Sequence, residues 1–242
     1  MTMPRTVCAA IISAALSLAP SAANAQTVEP FVVTYDVNYS GTKVAETTLS
    51  LSINNDTGLH ELSSVTEPRG LAALIRYGDV VEVSHFNEKG ARYAPVDYRF
   101  NDGTRKGKRN SSIFFDWAEN SAQSTYKSVE ASHTLIGNET DRLLLQLQIM
   151  SDMSRDALAD AYRVIDRNEI KQYDFEILGD DVLSTQAGQF DTVKLRRQRP
   201  GSSRATLIWA AREHHFVPVK MIQTVNEKPN VVLSITALNE AE

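Results

Sequence analysis

The sequence predicts a mainly β protein: an antiparallel meander of roughly ten to twelve strands, curled into a barrel or half-barrel, with one or two short helices. Three observations lead to this prediction. Apolar and polar residues alternate in many short segments, turn-forming residues separate these segments, and the spacing between them leaves no room for the crossovers that parallel strands need.

The first strand shows the alternation most clearly. Phe31, Val33 and Tyr35 point to one side and Thr34 and Asp36 to the other. Further strands are predicted around residues 49–53, 80–86, 93–100, 111–117, 162–166, 173–178, 190–197, 205–210, 217–225 and 231–238. Glycine, asparagine or proline stands in the turns between them, at residues 40–41, 54–58, 87–90, 101–103, 200–201 and 228–230.

Two stretches break the period of two. Gly70–Tyr77 lacks alternation and is predicted to form a short helix. Residues 141–153 are predicted to form a second helix, capped by Thr140 or Asp141, with Leu143, Leu144, Leu147 and Met150 on one face. A strand is the rival interpretation of this second stretch, since its leucines also alternate.

The first 25 residues have the pattern of a cleavable secretion signal. A single positive charge precedes an apolar run over residues 7–18, and Ala23-Asn24-Ala25 supplies the small residues that signal peptidase requires. The run is shorter than the ~20 residues of a spanning helix. We therefore expect cleavage after Ala25, a periplasmic location, and a single soluble β-rich domain over residues 26–242. Because Cys8 is the only cysteine, the mature domain would contain neither a disulfide nor a thiolate metal site.

Composition and motifs argue against several functions. The formal net charge of −5 makes nucleic acid an improbable partner, and residues 26–242 contain no apolar segment of transmembrane length. None of the five histidines has a metal-ligand spacing, and no Gly-x-Ser-x-Gly elbow is present. We therefore predict no catalytic residue, no metal site and no cofactor.

Basic residues next to aromatic ones provide the candidate binding site. Arg109 precedes Trp117, and Arg197 and Arg204 flank a Pro-Gly turn that is followed by Trp209. Arginines at the rim of an apolar concavity could hold an anionic head group while the tail enters the cavity. Alternatively, these charges only keep the ends of hairpins in solvent, and the tryptophans fill the core.

Several short motifs follow one another in a fixed order along the chain. They are residues 31–37 with Gly41 and Glu46, Gly70-Leu71, Pro95, Tyr98, Phe115-Asp116-Trp117, Asp141-Arg142-Leu143, Gly188-Gln189-Phe190, Lys194, Arg197, Arg204, Trp209 and Pro218-Val219-Lys220. Together they resemble a family of exported bacterial proteins, domain of unknown function 3108. The resemblance implies a secreted or periplasmic, mostly β protein without an assigned activity, similar to the curled sheet of periplasmic lipoprotein carriers or to a lipocalin. The chain departs from the family at Ala45, where glycine is expected before Glu46.

Three functions remain open at this stage. The first is binding or carrying a lipid or another apolar envelope molecule. The second is a structural role in outer-envelope assembly, with a protein partner and a filled core. The third is hydrolysis of cell-wall or lipid material, for which Asp116, Asp141 and His133 would have to meet in one cleft.

Overall fold

The computed structural model describes residues 29–71, 73 and 78–240, in which fifteen strands form one sheet. A helix, α1, spans Leu144–Ser154, and a 3₁₀ turn spans Arg212–His214. The strands are β1 Phe31–Tyr39, β2 Thr42–Ile53, β3 His60–Pro68, β4 Val80–Lys89, β5 Arg92–Asn101, β6 Ser111–Asp116, β7 Ser121–Tyr126, β8 Val129–Thr134, β9 Glu139–Asp141, β10 Ala161–Asp166, β11 Glu169–Thr185, β12 Gly188–Gln198, β13 Arg204–Ala211, β14 Val217–Val225 and β15 Lys228–Glu240.

The strands form two meanders that join where β1 pairs with β15. In the order β8 to β1 and then β15 to β9, each strand pairs with its neighbour, and β1 pairs antiparallel with β15. The predicted antiparallel, mainly β fold is thus confirmed. One pair differs: β9 and β10 are parallel, because α1 lies between them in the chain and supplies the crossover that parallel strands need.

Four described strands, β3, β7, β8 and β9, lie outside the segments predicted from alternation. Their sequences are rich in serine, threonine and glutamate, as in HELSSVTEP and SAQSTY. The hydrophobic period of two is weak in such sequences, so that hydrogen bonding to a neighbouring strand decides their conformation. The sheet therefore has more strands than the ten to twelve expected.

The sheet is curled but open. The side chain of Asn168, in the turn after β10, contacts the opposite end of the sheet at two points. It accepts a hydrogen bond from the Ser124 hydroxyl at 2.9 Å and donates one to the carbonyl oxygen of Val129 at 2.8 Å. Register shifts such as those at Val37/Asn38 and Ile177/Gly179 bend the strands, as bulges do in curved sheets.

Helix α1 lies inside this curl. Both Leu143 and Leu144 donate backbone hydrogen bonds to Asp141 Oδ1, at 2.9 and 2.8 Å, so Asp141 caps the helix as predicted. Leu147 and Met150 pack with these two leucines in the main hydrophobic core. The helical interpretation of this stretch is therefore confirmed.

Two sequence predictions concern residues that the structure does not describe. The secretion signal, residues 1–25, lies outside the described residues, and so does most of the short helix predicted over Gly70–Tyr77. Within the described ranges, no helix combines the length and the apolar character that a membrane crossing requires.

Candidate ligand-binding site

A cavity of about 410 Å³ lies between α1 and the concave face of the sheet. Its size falls in the range of roughly 300–1,000 Å³ that is typical of small-molecule sites. Most of its lining is apolar, and its polar lining residues include Tyr35, whose hydroxyl donates to the carbonyl oxygen of Pro218 at 2.8 Å. The apolar lining comprises Val37, Leu49, Leu145, Ile149, Met150, Phe175, Leu195, Ile208, Ala210, Phe216, Met221, Val231 and Leu233.

The alternation of β12 and β13 determines which side chains face this cavity. Leu195 and Arg197 line it from β12, while Thr206, Ile208 and Ala210 line it from β13. The residues between them point to the other face of the sheet because successive side chains on a strand alternate. One face of this hairpin therefore changes from apolar to polar towards its turn.

A polar cleft of about 510 Å³ continues from the apolar cavity. The two spaces share Glu82, Leu145, Gln146, Arg197, Thr206 and Gln223 in their walls. The cleft is strongly cationic, because Glu82 and Asp166 are the only acids among the lining residues that the structure describes. Its basic residues are Arg142, Arg167, Lys171, Arg197, Arg199 and Arg204.

Some of these cations already have carboxylate partners. Arg142 Nη2 lies 2.7 Å from Glu82 Oε1, and Lys171 Nζ lies 2.6 Å from Asp166 Oδ2. Arg167 reaches Asp166 at the longer distance of 3.9 Å. The arginines at the tip of the β12–β13 hairpin differ: within the part of the chain that the structure describes, no carboxylate lies within 4 Å of Arg197, Arg199 or Arg204.

Arg197 stands at the junction of the cavity and the cleft. It donates a hydrogen bond to Thr206 Oγ1 at 3.1 Å, and its guanidinium lies 5.3 Å from the centre of the Tyr173 ring. Burial lowers the pKa of this guanidinium, because its charge is poorly solvated there. An arginine has so high a pKa that it stays charged nevertheless. An anion bound next to Arg197 would therefore interact with a positive charge that water screens only weakly.

Arg142 and its partners fix the wall opposite the hairpin. Its Nε lies 2.6 Å from the Tyr98 hydroxyl and 2.9 Å from Glu82 Oε2, and its guanidinium stands over the Phe100 ring at 4.5 Å. Burial alone would lower the pKa of Arg142, but the charge of Glu82 raises it above its ordinary value. This ion pair connects the start of α1 to β4 and β5.

Arg142 was not among the predicted site residues, although it belongs to a motif that carries the family resemblance. The available signal was an Asp-Arg pair directly before the apolar run of α1. Glu82 gave no signal, because an isolated acid on a strand is ordinary.

Of the five predicted site residues, the structure places Arg197 and Arg204 together. Both line the cleft, and β12 and β13 form the predicted hairpin, with Arg197 opposite Thr206.

Trp209 does not line the cavity. Its neighbours on β13, Ile208 and Ala210, occupy the concave face, so the indole of Trp209 lies on the other face of the sheet. Its Nε1 donates to Asp181 Oδ2 at 2.8 Å, and Lys194 stands over its ring.

Trp117 is also absent from the cavity wall. It stacks against Phe115 with ring centres 5.9 Å apart, and its Nε1 donates to the carbonyl oxygen of Pro95 at 2.8 Å. The alternative that the tryptophans pack in the core therefore describes both, because Trp209 belongs to the main hydrophobic cluster and Trp117 packs against it.

Arg109, the fifth predicted site residue, lies in the loop between β5 and β6. Its backbone N–H donates to Asp102 Oδ2 at 3.2 Å, and its exposed guanidinium lies 3.6 Å from the same oxygen. Gly103 and Gly107 have positive φ angles of 68° and 51°, which interrupt the strand. Contrary to the prediction, Arg109 is not among the described residues that line the cavity or the cleft.

The acids and the histidine considered for hydrolysis do not share a cleft. Asp116 accepts backbone hydrogen bonds from Ala118 and Glu119 at the end of β6, whereas Asp141 is buried at the start of α1. Within the described ranges, no group of three or more His, Cys, Asp or Glu side chains could hold a metal ion.

His133 has a different neighbour, the Ser124 hydroxyl, 2.7 Å from its Nε2. The single hydroxyl proton of Ser124 is donated to Asn168 Oδ1, so the histidine donates to the serine. A general base would have to accept the proton from its nucleophile. Ser124 is also buried, and this pair therefore does not support hydrolysis.

The fold and the site together define an open, curled β-sheet protein with an apolar cavity that opens into a cationic cleft. The chain belongs to the family described as protein of unknown function DUF3108, whose model matches residues 34–227. This match confirms the resemblance seen in the sequence. No curated protein matches the chain.

Similar solved structures share little sequence with this chain. An inferred lipoprotein from Parabacteroides distasonis ATCC 8503 has 10% identity and a TM-score of 0.37, with 88% of this chain and 96% of that chain covered. An inferred exported protein with a YmcC-like fold from Bacteroides fragilis NCTC 9343 has 9% identity, a TM-score of 0.36 and the same coverage. MucB has 13% identity and a TM-score of 0.38, with 91% of this chain and 55% of that chain covered.

Proposed function

We propose that this protein binds or carries an amphiphilic molecule of the bacterial envelope, without catalysing a reaction. The apolar tail occupies the cavity under α1, and an anionic head group occupies the adjoining cleft. The observation that carries the proposal is the continuity of the two spaces, which share Arg197 and Thr206 in their walls. The predicted secretion signal supports a periplasmic place of action.

The unfilled interior favours this function over a purely structural role. A protein that only supports envelope assembly through its surface would gain stability by filling its core. Here Leu145 and Ile149 of α1 and Ile208 of β13 instead face a space large enough for a small molecule. Because apolar surface in contact with water is unfavourable, an apolar occupant would stabilise the protein.

A chain-length series tests the proposal. Purified protein is stripped of bound lipid under mild conditions, and its affinity is measured for monoacyl glycerols and fatty acids with acyl chains of 8 to 14 carbons. If the tail enters the cavity, each added methylene tightens binding about fourfold until the cavity is full. Native mass spectrometry of protein taken from its own envelope should show a bound species of lipid mass. Affinities that ignore chain length, together with an empty native protein, would refute the proposal.

A further inference from the structure

The three arginines at the tip of the β12–β13 hairpin line the cleft together. Arg197 and Arg204 face the cleft from the two strands, and Arg199 faces it from the turn between them. Gln198 is paired with Ala205, so the register continued by one residue brings Arg199 opposite Arg204. The turn is held by a 3.1 Å hydrogen bond from Ser202 N–H to the carbonyl oxygen of Arg199.

Other basic residues on the same strand do not belong to this group. Arg196 lies on the opposite face, where it pairs with Glu176, and Lys194 stands over the Trp209 ring. The strand therefore pairs its outward-facing arginine and leaves its inward-facing arginine, Arg197, without a carboxylate among the described residues. This difference between the two faces argues against a general solubilising role for the inward-facing charges.

The number and type of these cations indicate the charge of the missing partner. A carboxylate has two oxygens and one negative charge, which a single bidentate arginine can satisfy. A phosphate monoester has three terminal oxygens and a charge of about −1.5 to −2 at neutral pH. Arginine forks match phosphate oxygens well, and three of them around one group exceed what a single carboxylate requires.

We propose that the amphiphile carries a phosphate-monoester head group, which Arg197, Arg199 and Arg204 bind together at the end of the apolar cavity. This inference rests on the proposed function, since it assigns the head group of the same ligand. Thr206, already a partner of Arg197, and Gln198, whose side chain bonds the Ser202 carbonyl at 2.6 Å, hold the hairpin side of the site in place. A phosphomonoester therefore meets an Arg197 side chain that is held in place before the ligand binds, next to a turn whose backbone is also held.

The experiment compares head groups on one acyl chain. Affinities are measured by calorimetry at pH 8 for dodecanoyl lysophosphatidic acid, dodecanoyl lysophosphatidylglycerol, dodecanoate and monododecanoyl glycerol, all below their critical micelle concentrations. Inorganic phosphate alone is the fifth probe. We expect the monoester to bind about tenfold or more tightly than the singly charged probes, because hydrogen bonds between charged groups are the strong ones.

Variants then test which arginines cause the preference for the phosphate monoester. Arg199→Gln and Arg204→Gln change exposed side chains, so the fold should be retained, and each should lower the affinity for lysophosphatidic acid about fivefold or more. Affinity for monododecanoyl glycerol, which carries no charge, should stay within a factor of about two. Arg196→Gln is the matched control, because it removes an arginine from the same strand but from the opposite face, and it should leave all affinities unchanged.

The outcomes separate this inference from the function on which it rests. Equal binding of all four acylated probes would overturn the phosphate assignment and leave amphiphile binding intact. Inorganic phosphate that binds as tightly as lysophosphatidic acid would also overturn it, since the site would then serve the free anion. If none of the acylated probes bound, the proposed function itself would fail.

Discussion

The hydroxyl group of Ser84 donates a 2.6 Å hydrogen bond to the carboxylate of Asp141, a residue 57 positions further along the chain. Both side chains are buried. Since Asp141 also caps α1 through the N–H groups of Leu143 and Leu144, this contact ties the beginning of the helix to β4. Helix α1, which covers the cavity, is therefore anchored at its start by the Asp141 carboxylate, which is shielded from solvent.

The titration of Asp141 should make stability depend on pH. Burial raises its pKa from 3.8 to about 6, so the native state binds this proton more tightly than the unfolded state does. The resulting stabilisation is complete below about pH 4, decreases as the pH rises, and is lost above about pH 6, a total of about 3 kcal/mol. Asp141→Asn keeps a capping oxygen and should remove this part of the slope.

Urea unfolding of the wild type and of Asp141→Asn at pH 4, 5, 6 and 7 measures the effect. Asp116→Asn serves as the matched control, since Asp116 also accepts backbone hydrogen bonds but caps an exposed turn after β6. Parallel stability curves for the wild type and Asp141→Asn would show that Asp141 does not titrate in this range.

The ion pair between Glu82 and Arg142 should contribute strongly to holding α1 against β4 and β5. Both side chains are largely buried, with 21% and 27% of their surface exposed. Removal of one partner leaves the other poorly solvated, so Glu82→Gln or Arg142→Gln should each cost about 2–3 kcal/mol. The double variant should lose less unfolding free energy than the two single variants lose together, by about 1 kcal/mol or more. A urea-unfolding double-mutant cycle measures this coupling, and strictly additive losses would contradict it.

Filling the apolar cavity should weaken ligand binding but preserve the fold. Ala210 is buried and lines the cavity, so Ala210→Leu places three more carbon atoms in the space that the tail would occupy. We expect about a tenfold loss of affinity for the longest acyl chain that binds the wild type. Thermal unfolding should show a stability close to that of the wild type.

Ala122→Leu provides the contrast for this experiment. Ala122 is fully buried in β7, within the packed core and away from the cavity, so the same enlargement there should cost about 1–3 kcal/mol of stability. If Ala210→Leu proved as destabilising as Ala122→Leu, the space beside Ala210 would be filled in solution.

Two residues predicted from sequence to bind the ligand should have no effect on binding. Trp117→Phe removes the hydrogen bond to the Pro95 carbonyl and should cost about 1 kcal/mol of stability. Arg109→Gln changes an exposed loop side chain and should alter stability by less than about 0.5 kcal/mol. Both variants should bind the dodecanoyl probes within a factor of two of the wild type. A larger loss of affinity in either variant would show that the residue does belong to the ligand-binding site.

The strands with an apolar side could be predicted because burial of one face imposes a period of two on the sequence. The polar strands β7 and β8 could not, since their conformation depends on pairing with a neighbour that the local sequence does not identify. Gln123 and Ser132, for example, are both exposed and bond to each other across this pair. The helix was predictable because Asp141 and the leucines after it carry a cap and a hydrophobic face.

The candidate site was predicted only where its geometry is local. Arg197 and Arg204 flank one turn, so a hairpin brings them together whatever the rest of the chain does. Trp209 was assigned to the wrong face: it is five residues beyond Arg204, and an odd separation on a strand means opposite sides. Arg109 was misplaced because the loop that contains Gly103 and Gly107 places it beside Asp102.

By itself the sequence determined the fold class, the capped helix, the hairpin that carries Arg197 and Arg204, and the family. These follow from periodicity, capping and turn chemistry, which act between residues that are close in the chain. Only the tertiary structure decided that Glu82 meets Arg142, that α1 lies over the concave face, and that an apolar cavity joins a cationic cleft. Such contacts link residues that are distant in sequence, and their free energy depends on how the whole sheet curls.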